Sequence, residues 1–410
     1  MSIFGDSFRV VTFGESHGAA VGCVVDGVPA GLSFSEADVQ PLLDRRRPGQ
    51  NSLTTSRQEG DKVEILSGIE NGVTLGTPIA MMVRNQDMRK RDYENTSEVP
   101  RPGHADYSYQ VKYGIRASSG GGRSSARETV GRVCASAIAL KYLYSRMGTQ
   151  VVAFVDSVMD IEIPSSIRDD LLINPPVISE VDSGSILYRF RDRLEDVSGV
   201  CYSLTDGMEM NSTDLEKDKD PPEKLVTRCP HAATAARMAA RIAQKKAEKD
   251  SCGGTITCVI SNVAAGLGEP VFDKFHAALA QAMLSIPAVK GFEIGSGFEG
   301  SRSLTGSQHN DRFLAIDSVS GKAQFASNHA GGVLGGVTSG QNVHFRVALK
   351  PVSSIGQTQV TCDFGGKMAE LTLEGRHDPC VVSRAVQIVE SMAALVVMDF
   401  VLRHQARHPL

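Results

Sequence analysis

Four short stretches of the chain concentrate histidine, arginine, serine and glycine beyond what core packing requires. The first, Gly14-Glu15-Ser16-His17-Gly18, sets an imidazole that titrates near neutral pH between glycines that let backbone approach a ligand. A polar turn after a strand accounts for the same residues. The second, Asp44-Arg45-Arg46-Arg47-Pro48-Gly49, puts three guanidiniums at a predicted helix end. They either oppose the negative end of the helix dipole or grip a phosphate or carboxylate through forked donors. The third runs from Arg101-Pro102-Gly103-His104-Ala105-Asp106-Tyr107 to a glycine run and Arg123-Ser124-Ser125-Ala126-Arg127. Glycines and serines leading into a helix N-terminus offer free N–H groups to an anion. Two arginines crowd that start, where the dipole alone would repel them. Neither a Walker A loop nor a dinucleotide fingerprint is present here. The fourth stretch joins the glycine-dense residues 328–340, Lys350-Pro351-Val352-Ser353-Ser354 and Arg376-His377-Asp378-Pro379. Its Asp378-Pro379 pair also suffices as a helix cap. Together these residues make an enzyme site for polyanionic ligands, with two histidines, an aspartate and several arginines, and neither a metal set nor a cysteine nucleophile. Acid–base chemistry on a phosphorylated small molecule follows; the particular reaction does not.

The elements that must position these groups are legible in outline. Residues 35–48 read as a helix, opened by Ser35 with Asp38 three residues on. Ser125 to Glu128 has the spacing of a capping box, opening a helix with Val130, Val133, Ala137 and Ile138 on one face and Gly148 beyond its end. Further helices are predicted over 232–249, 272–284 and 385–403, and strands over 22–25, 62–66, 79–83, 254–260 and 343–349. Residues 156–222 are polar and irregular, ending in the charge run 211–220, and read as an exposed insertion or flexible loop. An internal repeat is also visible. Residues 23–32 parallel 258–267, 64–68 parallel 293–297, and Gly103-His104-Ala105 parallels Asn328-His329-Ala330. A duplicated βα-type unit forming one pseudo-symmetric body is the expectation.

Bulk properties narrow the class. The 410 residues are 41% hydrophobic and 22% charged with a net charge of -4, which argues against a protein that coats nucleic acid. Nothing near the start resembles a signal or transit peptide. The longest apolar stretch, 393–401, contains Asp399 and falls short of the roughly 20 residues that cross a bilayer, so no membrane partner is expected. Eight scattered cysteines without a CxxC pair fit reduced core thiols and a cytoplasmic location.

In this order, the stretches resemble the chorismate synthase family over nearly the whole chain. The family's three signatures match residues 14–29, 122–138 and 376–392, with further likeness at 45–49, 101–107, 266–270 and 328–340. Residues from about 156 to 226 match poorly. The resemblance implies one α+β domain spanning 1–410, a β-α-β sandwich with helices packed between antiparallel sheets in pseudo-symmetric halves, and a homotetramer. It implies a redox-neutral anti-1,4-elimination of phosphate from 5-enolpyruvylshikimate-3-phosphate with reduced FMN, in which the flavin lends an electron and recovers it. His17 would protonate or stabilise the reduced flavin, His104 would protonate the departing phosphate, and Asp378 would deprotonate the flavin's central-ring nitrogen. Ser16 and Ser125 would sit in the proton relay. Arg46, Arg101 and Arg127 would meet the substrate's carboxylates and phosphate. Arg123, Ser124, Ser125, Ala288, Gly335, Lys350, Pro351, Val352, Ser353, Ser354 and Arg376 match the flavin-binding positions.

Three departures stand out. Ser52 occupies a position basic in many relatives, with Arg57 the nearest substitute; Ser136 replaces a small residue on a helix; Pro287 replaces an Asn seen in some relatives. Two rival readings remain: an NADPH-dependent flavin reductase, alone or as a second activity, and a non-catalytic anion-binding scaffold. The absence of a nicotinamide fingerprint weighs against the first as sole activity, and intact His17, His104 and Asp378 weigh against the second.

Overall fold

One βα plan occurs twice. The structure, a computed structural model, describes residues 2–55, 57, 59–87, 98–115, 117, 121–210, 221–373 and 377–407. The first unit comprises β1 (Arg9–Phe13), β2 (Ala20–Asp26), α1 (Glu36–Arg46), β3 (Val63–Ile65), β4 (Ile79–Arg84) and α2 (Thr129–Met147). The second comprises β5 (Gln150–Val158), β6 (Gly254–Ser261), α3 (Phe275–Leu284), β7 (Val289–Ile294), β8 (Val343–Leu349) and α4 (Val382–Arg407). The two sheets are antiparallel with the same spatial order, β1-β2-β4-β3 and β5-β6-β8-β7, each extended by a short edge strand beside its first member. Helix α2 packs on the first sheet, α4 on the second, and the two helices on each other. The result is an α+β sandwich whose core lies between the sheets.

The equivalence of the halves extends to hydrogen bonds. Thr74 Oγ1 donates to the Pro29 carbonyl (2.7 Å) and accepts from Leu32 N–H (3.0 Å), while Thr74 N–H donates to the Leu32 carbonyl (2.9 Å). Thr338 repeats the pattern with Ala264 O (2.7 Å), Leu267 N–H (2.8 Å) and Leu267 O (2.8 Å). These partners lie at matching places in the first pair of repeated stretches. The third expected match fails: Gly103-His104-Ala105 follows β4, whereas Asn328-His329-Ala330 precedes β8, the equivalent of β4. Two shared residues in three carry too little information to mark homology.

Local chemistry explains the elements. Asp38 accepts from Ser35 N–H (2.9 Å) at the start of α1, with Glu36 also in the first turn and Arg45 and Arg46 in the last, as the dipole favours. Helix α2 lies so close to β2 that a Cβ on Gly131 would come within 2.5 Å of the Gly22 carbonyl. The helix does not open directly at Ser125. A 3-10 turn over Ala126–Glu128 precedes it, with the Ser125 side chain accepting from Arg127 N–H (3.3 Å). Glu128 completes no capping box because Arg132, one turn on, takes its carboxylate (3.0 Å).

Two expectations are corrected. Residues 156–222 do not form an irregular loop throughout. Asp156 is fully buried within β5, bonded to Arg168 Nε (2.6 Å) and Thr255 Oγ1 (3.1 Å), and two short helices follow. A four-stranded sheet is then built from Ile186–Arg189, Arg193–Asp196, Cys201–Ser203 and Glu223–Val226. Cross-strand pairing and the burial of Leu187, Leu194, Tyr202 and Leu225 order a segment whose average polarity hides them. The charge run 211–220 lies outside the described residues. The second correction is α4, whose 26 residues are long and apolar enough by composition to cross a membrane. Within this protein 94% of its apolar window is buried, as expected of a core helix enclosed by sheet and helix. Seven cysteines are buried, while Cys362 is exposed on a hairpin rather than packed in the core.

Replacing Thr74 or Thr338 with valine keeps the shape and removes the hydroxyl that both donates and accepts. Each substitution is expected to cost about 1–3 kcal/mol in urea unfolding. A loss at one site and none at the other would show that the two halves do not share this support.

Candidate active site

The first turns of both core helices line one cavity of about 560 Å³. Around them stand the end of α1, the loop 101–105, the link Ile286–Ala288 between α3 and β7, and Lys350–Ser354 after β8. Two helix N-termini facing one space make it favourable for anions before any side chain is counted. Seven arginine and lysine side chains line it, against one carboxylate, Asp378, among the described residues.

The three consecutive arginines have three fates. Arg45 turns away to Asp182 (2.7 Å) and the fully buried Glu390, tying α1 to α4. Arg47 lies beside Asp44 at 3.9 Å and is largely exposed. Arg46 alone enters the cavity, its Nη1 3.0 Å from Asp61, which also pairs with Arg127. Burial pulls Arg46 down to about 9; Asp61 opposes the shift and Arg127 adds to it. Burial would raise Asp61, but the two guanidiniums outweigh it and hold the carboxyl below its usual range. Arg127 Nε donates to Asn85 (2.8 Å), while its buried Nη2 has no hydrogen-bond partner among the described residues. A buried donor without an acceptor beside a cationic cavity is where an anionic ligand gains most.

Also in the lining, His104 Nδ1 lies 2.9 Å from Asp106, which accepts from Arg101 Nε (2.7 Å) and Nη2 (2.8 Å). Burial would raise Asp106, yet the bonds from Arg101 and His104 hold it far below the ordinary carboxylate range. Lys350 Nζ (2.8 Å) and Ser353 Oγ (2.7 Å) both donate to the Gly103 carbonyl, pinning this loop to the second half. Lys350 is itself lowered by burial and by nearby Lys290. Asp378 accepts from Thr55 N–H (2.9 Å) and pairs with Arg384 in the first full turn of α4.

Beside this cavity runs a trough of about 1240 Å³ that shares Ser124, Ala288, Lys290 and Lys350 with it. Ala288 sits at φ 71°, a left-handed conformation costly for a residue with a Cβ, on the wall common to both spaces. Its carbonyl accepts from Lys350 N–H (2.9 Å), which fixes the link against β8.

Of the residues singled out from sequence, Arg46, Arg101, His104, Ser124, Ser125, Arg127, Ala288, Lys350, Pro351, Val352, Ser353, Ser354 and Asp378 meet in the cavity. Arg123 faces the trough, its guanidinium on Thr12 Oγ1 (2.6 Å) and the Gly14 carbonyl (3.1 Å). Ser16 Oγ lies 3.0 Å from His17 Nδ1, and Ser16 N–H donates to Gly122 O (3.4 Å); neither residue lines the cavity wall. Gly335 stands apart, on a hairpin packed against Phe275 at the start of α3, whereas the cavity takes residues beyond the end of that helix. A ten-residue helix is about 15 Å long, so one chain does not bring Gly335 to the other flavin-matching positions. Arg376 lies outside the described residues. Sequence reasoning gave no role to Thr55, Asp61, Asp106 or Arg384. Asp106 had a signal, two residues beyond His104 at a helix start, while Asp61 lies in a loop without a pattern. Ser52 is held by Glu223, which accepts from its N–H (2.6 Å) and Oγ (2.7 Å). Arg57 lines the cavity paired with Glu59. Ser136 Oγ bonds Ser391 (2.8 Å) across the two core helices.

A family profile described as "Chorismate synthase" matches residues 8–402. The chain is 51% identical to the chorismate synthase of Schizosaccharomyces pombe over 407 residues, covering 99% of this chain and 97% of that one. It is 46% identical to that of Saccharomyces cerevisiae over 410 residues, covering 99% and 98%. A solved structure titled "Crystal Structure of Chorismate Synthase" matches with a TM-score of 0.67 and 28% identity, over 98% of this chain and 93% of that one.

Asp61→Asn would leave Arg46 and Arg127 buried without their shared counter-charge, at an expected cost of about 3–5 kcal/mol at pH 7. Because the folded carboxyl titrates below its unfolded value, its contribution is present above about pH 4 and is lost as pH falls further. The stability gap between wild type and variant in urea melts should therefore narrow below that pH. A gap independent of pH would remove the charge account.

Proposed function

The chain belongs to the chorismate synthase family, a carbon–oxygen lyase family acting on a phosphate in aromatic amino acid biosynthesis, and from that premise we propose that it converts 5-enolpyruvylshikimate-3-phosphate to chorismate by anti-1,4-elimination of phosphate, using reduced FMN. The supporting observation is the charge of the cavity: seven cationic side chains, two helix N-termini and an Arg127 Nη2 that makes no hydrogen bond among the described residues and lies 3.7 Å from Glu59, against a substrate with two carboxylates and a phosphate. Arg46 and Arg127 orient it, and their buried charge acts strongly because water is excluded.

The trough suits the flavin. It adjoins the cavity across Ser124, Ala288 and Lys350, and Lys350 supplies a desolvated cation for the flavin's phosphate or for electron-rich ring atoms. When bound there, reduced FMN supplies the electron density that helps the carbon–oxygen bond to phosphate break. His104 gives its proton to the departing phosphate oxygen, acting as acid and counter-charge together. Asp378, oriented by Thr55 N–H and Arg384, receives a proton on the other side of the site. Ser16 and His17 form a hydrogen-bonded pair that does not line the trough and serve the flavin through Gly122, a residue of its wall that accepts from Ser16 N–H. The working protein is a homotetramer, for which the exposed apolar strand Phe313–Ile316 offers a surface that a second copy would cover.

Anaerobic assays with chemically reduced FMN, and separately with oxidised FMN plus NADPH, test the reading. Chorismate is expected in the first; product in the second as well would add an intrinsic NADPH-dependent flavin reductase. Folded protein yielding none in either would overturn the assignment. His104→Ala should bind FMN with unchanged affinity and lose about 10²- to 10⁴-fold in turnover, and unchanged turnover would remove its role as acid.

A further inference from the structure

Resting on the reading of His104 as acid, we infer that Asp106 and Arg101 form a positioning relay for it, and that Arg101 serves this relay rather than the substrate. Asp106 is nine-tenths buried and accepts four hydrogen bonds: Arg101 Nε (2.7 Å), Arg101 Nη2 (2.8 Å), Arg101 N–H (3.1 Å) and His104 Nδ1 (2.9 Å). A carboxylate with two forked guanidinium bonds cannot rotate, so it presents one oxygen to the imidazole in a fixed direction. Held far below its ordinary titration range, Asp106 is acceptor-only. His104 must therefore carry a proton on Nδ1, which leaves Nε2 as the nitrogen that works toward the cavity. As the carbon–oxygen bond breaks and its pair moves to the phosphate oxygen, the Nε2 proton passes to that oxygen. The N–H pair stays on the ring, which becomes the neutral Nδ1–H tautomer that Asp106 already favours.

The same bonds account for Arg101. Two of its three guanidinium nitrogens lie on Asp106, and the third is 3.4 Å from Ser354 Oγ. Arg127, by contrast, keeps a buried Nη2 without a hydrogen bond among the described residues, its nearest carboxylate being Glu59 at 3.7 Å. The loop is also fixed at its middle, where Lys350 and Ser353 hold the Gly103 carbonyl, so the imidazole is aligned from both sides.

Steady-state kinetics with chemically reduced FMN test this on the full-length protein. Asp106→Asn should lower kcat about 100-fold with the substrate KM changed by less than about threefold, and Asp106→Glu should recover at least about tenfold. Introduced into His104→Ala, Asp106→Asn should cost less than about twofold more, since a relay has nothing left to position. An equal loss in both backgrounds, or a raised KM with kcat intact, would overturn the relay and return Arg101 to the substrate. If Asp106→Asn does not fold, as judged by circular dichroism, Asp106→Glu carries the same cycle: its kcat loss must disappear in His104→Ala. A wild type without chorismate formation, or His104→Ala with full turnover, would instead sink the underlying reading.

Discussion

A helix of 26 residues enclosed on all sides by apolar neighbours has little to fix its rotation or its slide, because one hydrophobic contact substitutes readily for another. The polar groups of α4 supply that fix. Near its start Arg384 donates to the Arg46 carbonyl (3.2 Å) and pairs with Asp378. Nearly two turns later the fully buried Glu390 pairs with Arg45 and accepts from Ala153 N–H (3.0 Å). Ser391 meets Ser136 of α2. Toward the far end Asp399 accepts the N–H groups of Asp6, Ser7 and Phe8 at 2.9, 2.7 and 2.9 Å. Any other register would strand buried charges without partners, at several kcal/mol each. The positions of Asp378 and Arg384 at the cavity follow from contacts made along the whole helix.

The cavity concentrates positive charge that the protein must stabilise without a ligand. Asp61 does this between Arg46 and Arg127, and Asp106 does it for Arg101. Their carboxylates are buried and lie outside the lining of the cavity, Asp106 bordering the adjoining trough instead, so the cavity face of the guanidiniums is left to an anion. Placing them in the cavity would instead repel the ligand. This division explains a cationic wall on a chain whose net charge is -4.

Much of this was legible in the sequence. The strand predicted over 343–349 is β8 to the residue, and Ser35 with Asp38 marks the start of α1. The family resemblance gathered residues from 16 to 378 into one place; most of them meet in the cavity, while Ser16, His17, Arg123 and Gly335 do not line it. What escaped has physical causes. The segment 156–222 sets adjacent buried residues in strands of three or four, too short for periodicity to register, so polarity dominated its reading. Asp61 and Asp106 were missed because a counter-ion is defined by what folds against it, and Arg46 reaches Asp61 across a loop. Arg384 lies six residues beyond Asp378, a spacing that joins them only once a loop turns into a helix between them.

The shared plan of the two halves explains why the site lies where it does. Two units that each end in a long helix, packed on each other, set those helices side by side with their first turns lining one space. Two positive dipole ends then share a space that neither unit would have alone. Support distant from that space stayed equivalent, as Thr74 and Thr338 show. At the shared end the two halves differ. The first contributes Arg127 and Ser125 ahead of α2, groups suited to holding an anion; the second contributes Asp378 ahead of α4, a group suited to receiving a proton. A symmetric site would carry two copies of one function. On the proposed reading, in which one proton is given and another taken, this difference between the halves supplies unlike groups to the shared space.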